Sequence, residues 1–233
     1  MKSFMLTVAG LFLCMITYSQ SNIVESLYLF PKIGQSQALE SAIAAHNKKY
    51  HPAGDGEAML RYIDYGEKAG WYVWVLKGTY ATLDNRPTDS GHVSDWAKNV
   101  EPNIAEYGST TIWRLNTNLS TGVDMMNSAT KYRAWSIEFE DGQGYRFAPL
   151  MEKMVKVQKN MGRAFVIYNS AVHFKNGPDV AIVWPFDKYA EWDENSGVVE
   201  AYEKEYGTGS WVGFMDEWRA IVKDYDEEIR SKI

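Results

Sequence analysis

Cysteine, basic tracts and catalytic signature motifs are scarce or missing in this chain of 233 residues. The one cysteine, Cys14, lies near the N-terminus, so a chain that loses this segment has no thiol nucleophile, disulfide or cysteine-ligated metal. The formal net charge is −6, and no long run of lysine and arginine occurs. Nucleic acids and anionic membrane surfaces are therefore poor partners. No GxSxG, phosphate-loop or dinucleotide-binding glycine motif follows a predicted strand.

The first twenty residues differ in kind from the rest. Lys2 precedes an apolar stretch from Phe4 to Thr17, and short polar residues follow it. This layout predicts a secretory signal peptide at 1–20 that is removed on export to the periplasm or the medium. A retained membrane anchor is the alternative, but the stretch is short for a membrane span. Bulky residues before Cys14 disfavour a lipid anchor, so no membrane insertion is expected after cleavage.

The rest of the chain repeats the order of its elements. The phrase Tyr80-Ala-Thr-Leu-Asp returns 109 residues later as Tyr189-Ala-Glu-Trp-Asp, each time after an apolar, strand-like run. The same offset places Tyr28 on Ile137. A fixed internal period indicates a duplicated unit. We therefore predict two tandem repeats, at 21–120 and 130–233.

Hydrophobic periodicity gives each repeat the order β-α-β-β-α-β. The last helices are predicted at Ser94–Tyr107 and Trp211–Tyr225. Within them Trp96 and Tyr107 match Phe214 and Tyr225 at an offset of 118 rather than 109 residues, which predicts roughly nine extra residues in a loop at 195–210. The predicted strands are 26–32, 59–65, 71–77 and 110–116, then 131–140, 163–174, 179–184 and 228–233. The other main helices are predicted at 37–50 and 144–161.

This element order, the Trp/Tyr-rich third strands and the Tyr-Ala-x-Leu/Trp-Asp segments resemble the dimeric α/β-barrel superfamily. That superfamily includes antibiotic-biosynthesis monooxygenases, NIPSNAP-type proteins and chlorite dismutases. The resemblance covers almost all of the chain after residue 22. It implies an α+β fold in which two tandem ferredoxin-like (βαββαβ) repeats form an intramolecular dimeric α/β barrel. It implies no single activity.

The four histidines are the natural candidates for metal or acid–base chemistry, but their spacing disfavours a metal centre. His46 and His51 lie five residues apart around a helix end and are expected to point apart, because a helical ligand pair needs three or four. His92 falls in a polar, turn-like segment. We therefore expect no metal site. His173 is expected to close a strand on the same face as Asn169.

The resemblance to chlorite dismutases implies a haem held by an axial histidine from a second-half helix. The matching segment 144–161 contains no histidine, so we expect no haem, and we expect no other cofactor. The related monooxygenases are implied to hold aromatic substrates near Asn, Trp and Arg side chains. The candidate ligand-binding residues of this chain are Trp71, Arg133, Trp135, Asn169, His173 and Trp184.

Together these observations favour an exported protein that binds a small apolar or aromatic molecule in a barrel between the two repeats. A cofactor-independent monooxygenase acting on an aromatic substrate is the first alternative. A non-catalytic assembly protein is the second. Whether the protein is an enzyme, and its oligomeric state, stay open at this point.

Overall fold

The computed structural model describes residues 23–233, which form eight strands closed into one barrel with helices on its outside. The predicted signal peptide and Cys14 lie outside the described residues. The strands are β1 (Ile23–Pro31), β2 (Ala58–Tyr65), β3 (Tyr72–Gly78), β4 (Ile104–Leu115), β5 (Lys131–Phe139), β6 (Val166–Ser170), β7 (Val180–Phe186) and β8 (Val222–Lys232). The helices are α1 (Ser36–Tyr50), α2 (Tyr80–Asp84), α3 (Ser90–Asp95), α4 (Met125–Ser128), α5 (Phe147–Asn160), α6 (Val198–Tyr206) and α7 (Ser210–Ile221).

Each half is a four-stranded antiparallel sheet in the ferredoxin-like order. The first sheet runs β4-β1-β3-β2 and the second β8-β5-β7-β6. Two seams close the barrel: β2 pairs with β8, where Arg61 lies opposite Lys232, and β4 pairs with β6, where Trp113 lies opposite Ser170. The predicted fold of two ferredoxin-like repeats in one barrel is confirmed. Within residues 23–233, no helix has the length and apolar character needed to cross a membrane.

The strand registers give the residue offset between the two repeats. Ile23 pairs with Gly78 in the first half and Lys131 with Phe186 in the second, so β1 and β3 correspond to β5 and β7 at an offset of 108. The predicted offset of 109 is one residue too long in these strands, because the link between the third strand and the repeated phrase is one residue longer in the second half. A one-residue error reverses the face of every side chain.

The fourth strands confirm the extra residues in the second half. Ile23 also pairs with Arg114, and Lys131 with Ser231, an offset of 117 that exceeds the earlier one by nine. The predicted loop at 195–210 holds a helix, α6, because its apolar face packs through Tyr202 on the second-half core.

Three predicted boundaries are wrong because pairing partners lie far away in the sequence. β4 begins at Ile104, inside the predicted helix 94–107, since its first residue pairs with Pro31 of β1. The predicted helix 211–225 ends at Ile221, because β8 begins at the next residue and pairs along β5. The predicted strand 163–174 is shortened to β6, Val166–Ser170.

Alternate strand residues face the helices or the barrel interior, which fixes where binding sites can lie. On the outer face, Ile137 and Ile182 pack under α5 in the second half, and Leu29 packs against α1 in the first. Burying one such side chain contributes roughly 1.5–3 kcal/mol. Each half therefore has its own apolar core between sheet and helices, and the interior of the barrel is a third, separate space.

Candidate functional site: an aromatic cavity and a histidine cluster

A cavity of about 620 Å³ lies between the outer face of the second sheet and helices α5 to α7. Its aromatic wall holds five of the nine tryptophans: Trp135, Trp184, Trp192, Trp211 and Trp218. Four methionines also line the cavity: Met125, Met151, Met154 and Met215. Flat indole rings and flexible thioethers suit an apolar, planar or extended ligand. The volume is that of a typical small-molecule site.

The two halves bury the same positions of their first long helices. Leu39, Ile43 and Asn47 of α1 are matched, 111 residues later, by Leu150, Met154 and Gln158 of α5. Both helices thus turn an amide towards the third strand of their sheet.

One exchange of side chains between the repeats changes the floor of the second-half cavity. Trp74 of β3 fills the first-half position, and its indole Nε1 donates to Asn47 Oδ1 at 2.9 Å. At the offset of 108 its counterpart is Ile182 of β7, and both Ile182 and Gln158 line the cavity. The facing residue on the neighbouring strand changes in the opposite sense, from Leu27 to Trp135. The exchange therefore moves an indole from the third strand to the first strand of the sheet and frees the amide of Gln158 from that hydrogen bond.

Charged groups lie at the rim of the cavity rather than at its base. The Arg133 guanidinium is held by Glu227 through contacts of 2.7 and 3.0 Å. It also stacks near Trp135, Trp184 and Trp192, at 5.2, 5.8 and 5.5 Å from the ring centres. An arginine clamped in this way holds three rings of the wall in place.

Among residues 23–233, several polar groups of the cavity lining have no hydrogen-bond or ion-pair partner, including Arg163, the indole of Trp135 and the exposed carboxylate of Glu194. Arg163, exposed at the rim, makes no ion pair within residues 23–233. The buried Nε1–H of Trp135 finds no acceptor among the same residues. A buried donor without a partner destabilises the protein by roughly 1–3 kcal/mol. A ligand oxygen that accepted a hydrogen bond from Trp135 Nε1 would remove this destabilisation.

The structure brings together three of the six sequence-predicted ligand residues. Arg133, Trp135 and Trp184 meet in the cavity. They do so outside the barrel, between sheet and helices, and not between the two repeats as predicted, because odd-numbered residues of β5 face the helices.

The other three predicted residues lie elsewhere. Trp71 packs on Phe30 in the first half, with ring centres 5.2 Å apart. Asn169 pairs with Val180 at the end of β6. His173 lies beyond that strand in an exposed turn, 3.5 Å from Asp179. The predicted face shared by Asn169 and His173 does not exist, because β6 ends at Ser170.

Sequence reasoning missed the helical side of the cavity. Gln158, Phe214 and Trp218 approach it from α5 and α7. Helical periodicity can indicate a buried face, but a buried face gives no sign of whether the space against it is filled.

The barrel interior holds a smaller cavity of about 350 Å³ with a basic lining. Arg61 is buried there and donates to the hydroxyl of Tyr132 at 3.2 Å, and burial lowers its pKa. Arg230 is paired with Glu228 at 2.6 Å. Burial raises the pKa of Tyr168, another lining residue, to about 12. The lining of this interior cavity is largely apolar, with basic side chains that pair mainly with other protein groups.

The first half contains a cluster of three histidines. His92 Nε2 lies 3.2 Å from His46 Nε2 and 3.2 Å from His51 Nε2. His46 and His51 are buried, with 1% and 5% of their surface exposed. Burial, followed by the neighbouring imidazoles His92 and His46, lowers the pKa of His51 to about 4.

The prediction that His46 and His51 point apart is wrong. α1 ends at Tyr50, and His51 takes a non-helical conformation with φ −133° and ψ 53°, so the helical spacing rule no longer applies to it. His92 belongs to α3 rather than to a loop, and it closes the cluster from 41 residues away. No local pattern could have indicated that contact.

Among known proteins, the similarity is one of fold. No protein-family profile and no curated protein matches the sequence. A candidate monooxygenase from Fusobacterium nucleatum superposes with a TM-score of 0.60 at 12% identity, over 92% of this chain and 93% of that one. An anthrone oxidase-like protein gives 0.54 at 11% identity, over 94% of both chains. A mutant chlorite dismutase from Candidatus Nitrospira defluvii gives 0.51 at 10% identity, over 91% and 93%.

The side chains of the cavity do not fit a histidine-ligated haem. From α5 the cavity receives Met151, Met154 and Gln158, and none of the four histidines lines it. The cluster of His46, His51 and His92 belongs to the other half. The axial imidazole that the resemblance to chlorite dismutases implies therefore has no counterpart.

Proposed function

We propose that the protein binds a flat, largely apolar small molecule carrying an anionic or hydrogen-bond-accepting group, in the cavity beneath α5 to α7. The observation that carries this proposal is the cavity of about 620 Å³ walled by five indole rings. In the first half, Trp74 fills the matching position on the third strand. The protein has two cavities, one between the second sheet and its helices and one inside the barrel. Their presence favours a binding protein over a purely structural assembly protein.

The rim supports the proposed acidic or accepting group on the ligand. Arg163 offers a cation without a partner within the described part of the chain, and Trp135 offers a buried donor. A ligand whose rings lie against Trp184 and whose acidic end reaches Arg163 would satisfy both apolar and polar parts of the lining. Arg133, already bound to Glu227, shapes the wall rather than supplying free charge.

The proposed place of action is outside the cytoplasm, on the evidence of the N-terminal sequence. Lys2 and the apolar stretch up to Thr17 have the layout of a secretory leader. Intact-mass measurement of the protein secreted by its own cells checks this proposal. A mature chain starting near residue 21 would support export, and a full-length chain in the cytosol would contradict it.

A variant that fills the cavity tests the binding proposal. We expect anilinonaphthalene sulfonate, an anionic aromatic dye, to bind the native protein with energy transfer from tryptophan. Ile182→Trp should abolish this binding while the fold is kept, because the first half already accommodates an indole at the matching position. Ile182→Val is the control that keeps the cavity open. Equal dye binding by native protein and Ile182→Trp would overturn the assignment of the site.

The rim cation gives a second, independent test. Arg163→Gln should weaken dye binding several-fold, whereas Arg219→Gln, an exposed arginine of α7 outside the lining, should leave it unchanged. Native mass spectrometry of protein isolated from its own envelope or medium would then identify a natural ligand by its mass.

The second candidate function is cofactor-independent oxygenation of an aromatic substrate in the same cavity. Its support is the fold similarity to a candidate monooxygenase and to an anthrone oxidase-like protein. Dioxygen uptake with anthrones and related polycyclic phenols distinguishes the two. Dioxygen consumption that is abolished in Ile182→Trp would show that the protein is an enzyme. Binding of the aromatic compound without dioxygen consumption would support a binding protein.

A further inference from the structure

The three histidines of the first half come from three different places in the chain and present one nitrogen each to a common point. His46 lies in the last turns of α1, His51 directly follows that helix, and His92 lies in α3. Their ligating nitrogens all fall within 4.8 Å of one another. His46 and His51 lie five residues apart, but His92 lies 41 residues beyond His51, and the convergence of the three imidazoles needs a physical explanation.

Hydrogen bonds among the three imidazoles cannot account for all of their nitrogen–nitrogen contacts. His46 Nδ1 lies 2.7 Å from Asp95 Oδ2, which places the ring proton on Nδ1 and a lone pair on Nε2. His92 Nε2 faces two nitrogens at 3.2 Å. A single proton on His92 Nε2 cannot lie on the line to both neighbours, so at least one contact stays unsatisfied.

The ring of His92 is not fixed in another tautomer by the protein. Its Nδ1 has no hydrogen-bond partner among residues 23–233. Nothing in that part of the chain therefore prevents His92 from presenting a bare Nε2 to the centre, as a metal ligand must.

Two of the three nitrogen–nitrogen distances match metal coordination, and all three nitrogens lie within 4.8 Å of one another. Ligands at about 2.0–2.1 Å from a tetrahedral zinc ion lie roughly 3.3–3.4 Å from one another. The two measured Nε2–Nε2 distances are both 3.2 Å. An N–H···N hydrogen bond explains one of these contacts, but one proton on His92 Nε2 cannot explain both, whereas a metal ion at the centre would explain both.

The residues around the three histidines include groups that typically orient metal-binding histidines. Asp95 accepts from His46 Nδ1 and is itself held by the side-chain amide of Asn99, at 2.9 Å. A carboxylate behind a ligating histidine fixes its tautomer and orientation. Tyr50 and Trp96 pack against His46, with ring centres at 5.0 and 5.1 Å. These rings shield the cluster from water.

We propose that His46, His51 and His92 form a binding site for one divalent transition-metal ion of the zinc class, with Asp95 positioning His46. Three neutral imidazoles suit zinc, cobalt, nickel or copper rather than magnesium or calcium. Three protein ligands leave a fourth position for water or an outside ligand. The ion would fasten α3 and the segment around it to the end of α1. The site is separate from the tryptophan-lined cavity, so either proposal can fail without the other.

Metal titration of the protein without a histidine tag tests this site. After chelator treatment, the native protein should bind one equivalent of Co²⁺ with the intense visible absorption of tetrahedral coordination, and Zn²⁺ should displace it. Zn²⁺ should also raise the melting temperature. Failure to bind one equivalent of either metal, with the fold intact by circular dichroism, would overturn the proposal.

Substitutions assign the ligands. His92→Ala, at the half-exposed member of the cluster, and His51→Gln should each weaken binding by more than the roughly 10–100-fold that a change in a supporting group costs. Asp95→Asn should weaken it within that range. His173→Ala, exposed in the other half, is the matched control and should change nothing. Binding that survives both cluster variants but responds to His173→Ala would show that the metal lies elsewhere.

Discussion

At the scale of single residues, a buried charge network in the barrel interior links the first strand of the chain to the last. Arg230 of β8 lies 2.6 Å from Glu228 and donates to the hydroxyl of Tyr28 of β1 at 2.6 Å. Tyr28 in turn donates to Glu228 at 3.2 Å, and burial raises the pKa of Tyr28. These groups stabilise one another only as a set, because each charge is shielded from water.

Breaking this network should be costly. Glu228→Gln leaves Arg230 buried without a counter-charge and should lower the free energy of unfolding by about 3–5 kcal/mol in urea titrations. The double variant Glu228→Gln/Arg230→Met should recover much of the loss. Asp216→Asn, which breaks an exposed pair with Arg219, should cost about 0–1 kcal/mol. Similar losses for the buried and exposed pairs would contradict this account.

The pKa of His51 predicts a pH dependence in metal-free protein. Its folded-state pKa of about 4 lies below the ordinary value of 6.5, so the fold favours the neutral ring. This contribution to stability is fully present above pH 6.5 and is lost as the pH falls towards 4, because the unfolded chain then binds the extra proton.

Chelator-treated native protein should therefore lose more unfolding free energy over this window than His51→Gln. We expect the difference to be roughly 1–3 kcal/mol. Parallel pH profiles for the two proteins would show that His51 is not held neutral by the fold.

At the scale of elements, the turn between β2 and β3 illustrates how a loop is fixed by a distant strand. Gly66 has φ +122°, and a Cβ there would lie 2.5 Å from the carbonyl oxygen of Glu227 in β8. Gly70, in the same turn with φ +91°, has open space around it. The turn is thus pressed against the seam that joins the two halves.

The two glycines form a matched pair of variants. Gly70→Ala should cost about 1 kcal/mol, because only the backbone conformation is disfavoured. Gly66→Ala should cost clearly more, because the β2–β8 seam must also shift. Thermal unfolding of both variants measures the difference. Equal melting temperatures would mean that the β2–β8 pairing shifts to accommodate the new methyl group at no energetic cost.

At the scale of the whole molecule, the two halves share one closed hydrogen-bonded barrel. Pairing across the β2–β8 and β4–β6 seams leaves neither sheet with a free edge within the described chain. Unfolding of one half would expose the edges of the other. We therefore expect both halves to unfold as one cooperative unit.

A cavity in one core should destabilise both halves equally. Ile43→Ala, in the fully buried first-half core, should cost about 2–5 kcal/mol. Hydrogen exchange in denaturant, followed by mass spectrometry, should show peptides of β5 and β7 losing protection in the same shifted transition as those of β1 and β3. Earlier loss in the first half alone would contradict this cooperativity.

The element order and the duplication were predictable because they rest on local signals. Alternating strands, the amphipathic pattern of α1 and the repeated Tyr-Ala phrase are properties of short segments. The limits of β4 and α7 were not predictable, because pairing with β1 and β5 decides them. The predicted offset between the repeats was wrong by one residue for a different reason: a link can gain a residue without changing the pattern on either side.

The sequence by itself determined two α+β repeats, the nine-residue excess of the second and the aromatic richness of its sheet, since composition and period are written along the chain. Only the tertiary structure decided that Arg133, Trp135 and Trp184 face helices rather than the barrel interior. It also decided that Ile182 takes the position in the second half that Trp74 takes in the first. It also decided that His92 meets His46 and His51. Such contacts depend on strand register and helix packing, which join residues that no local spacing relates.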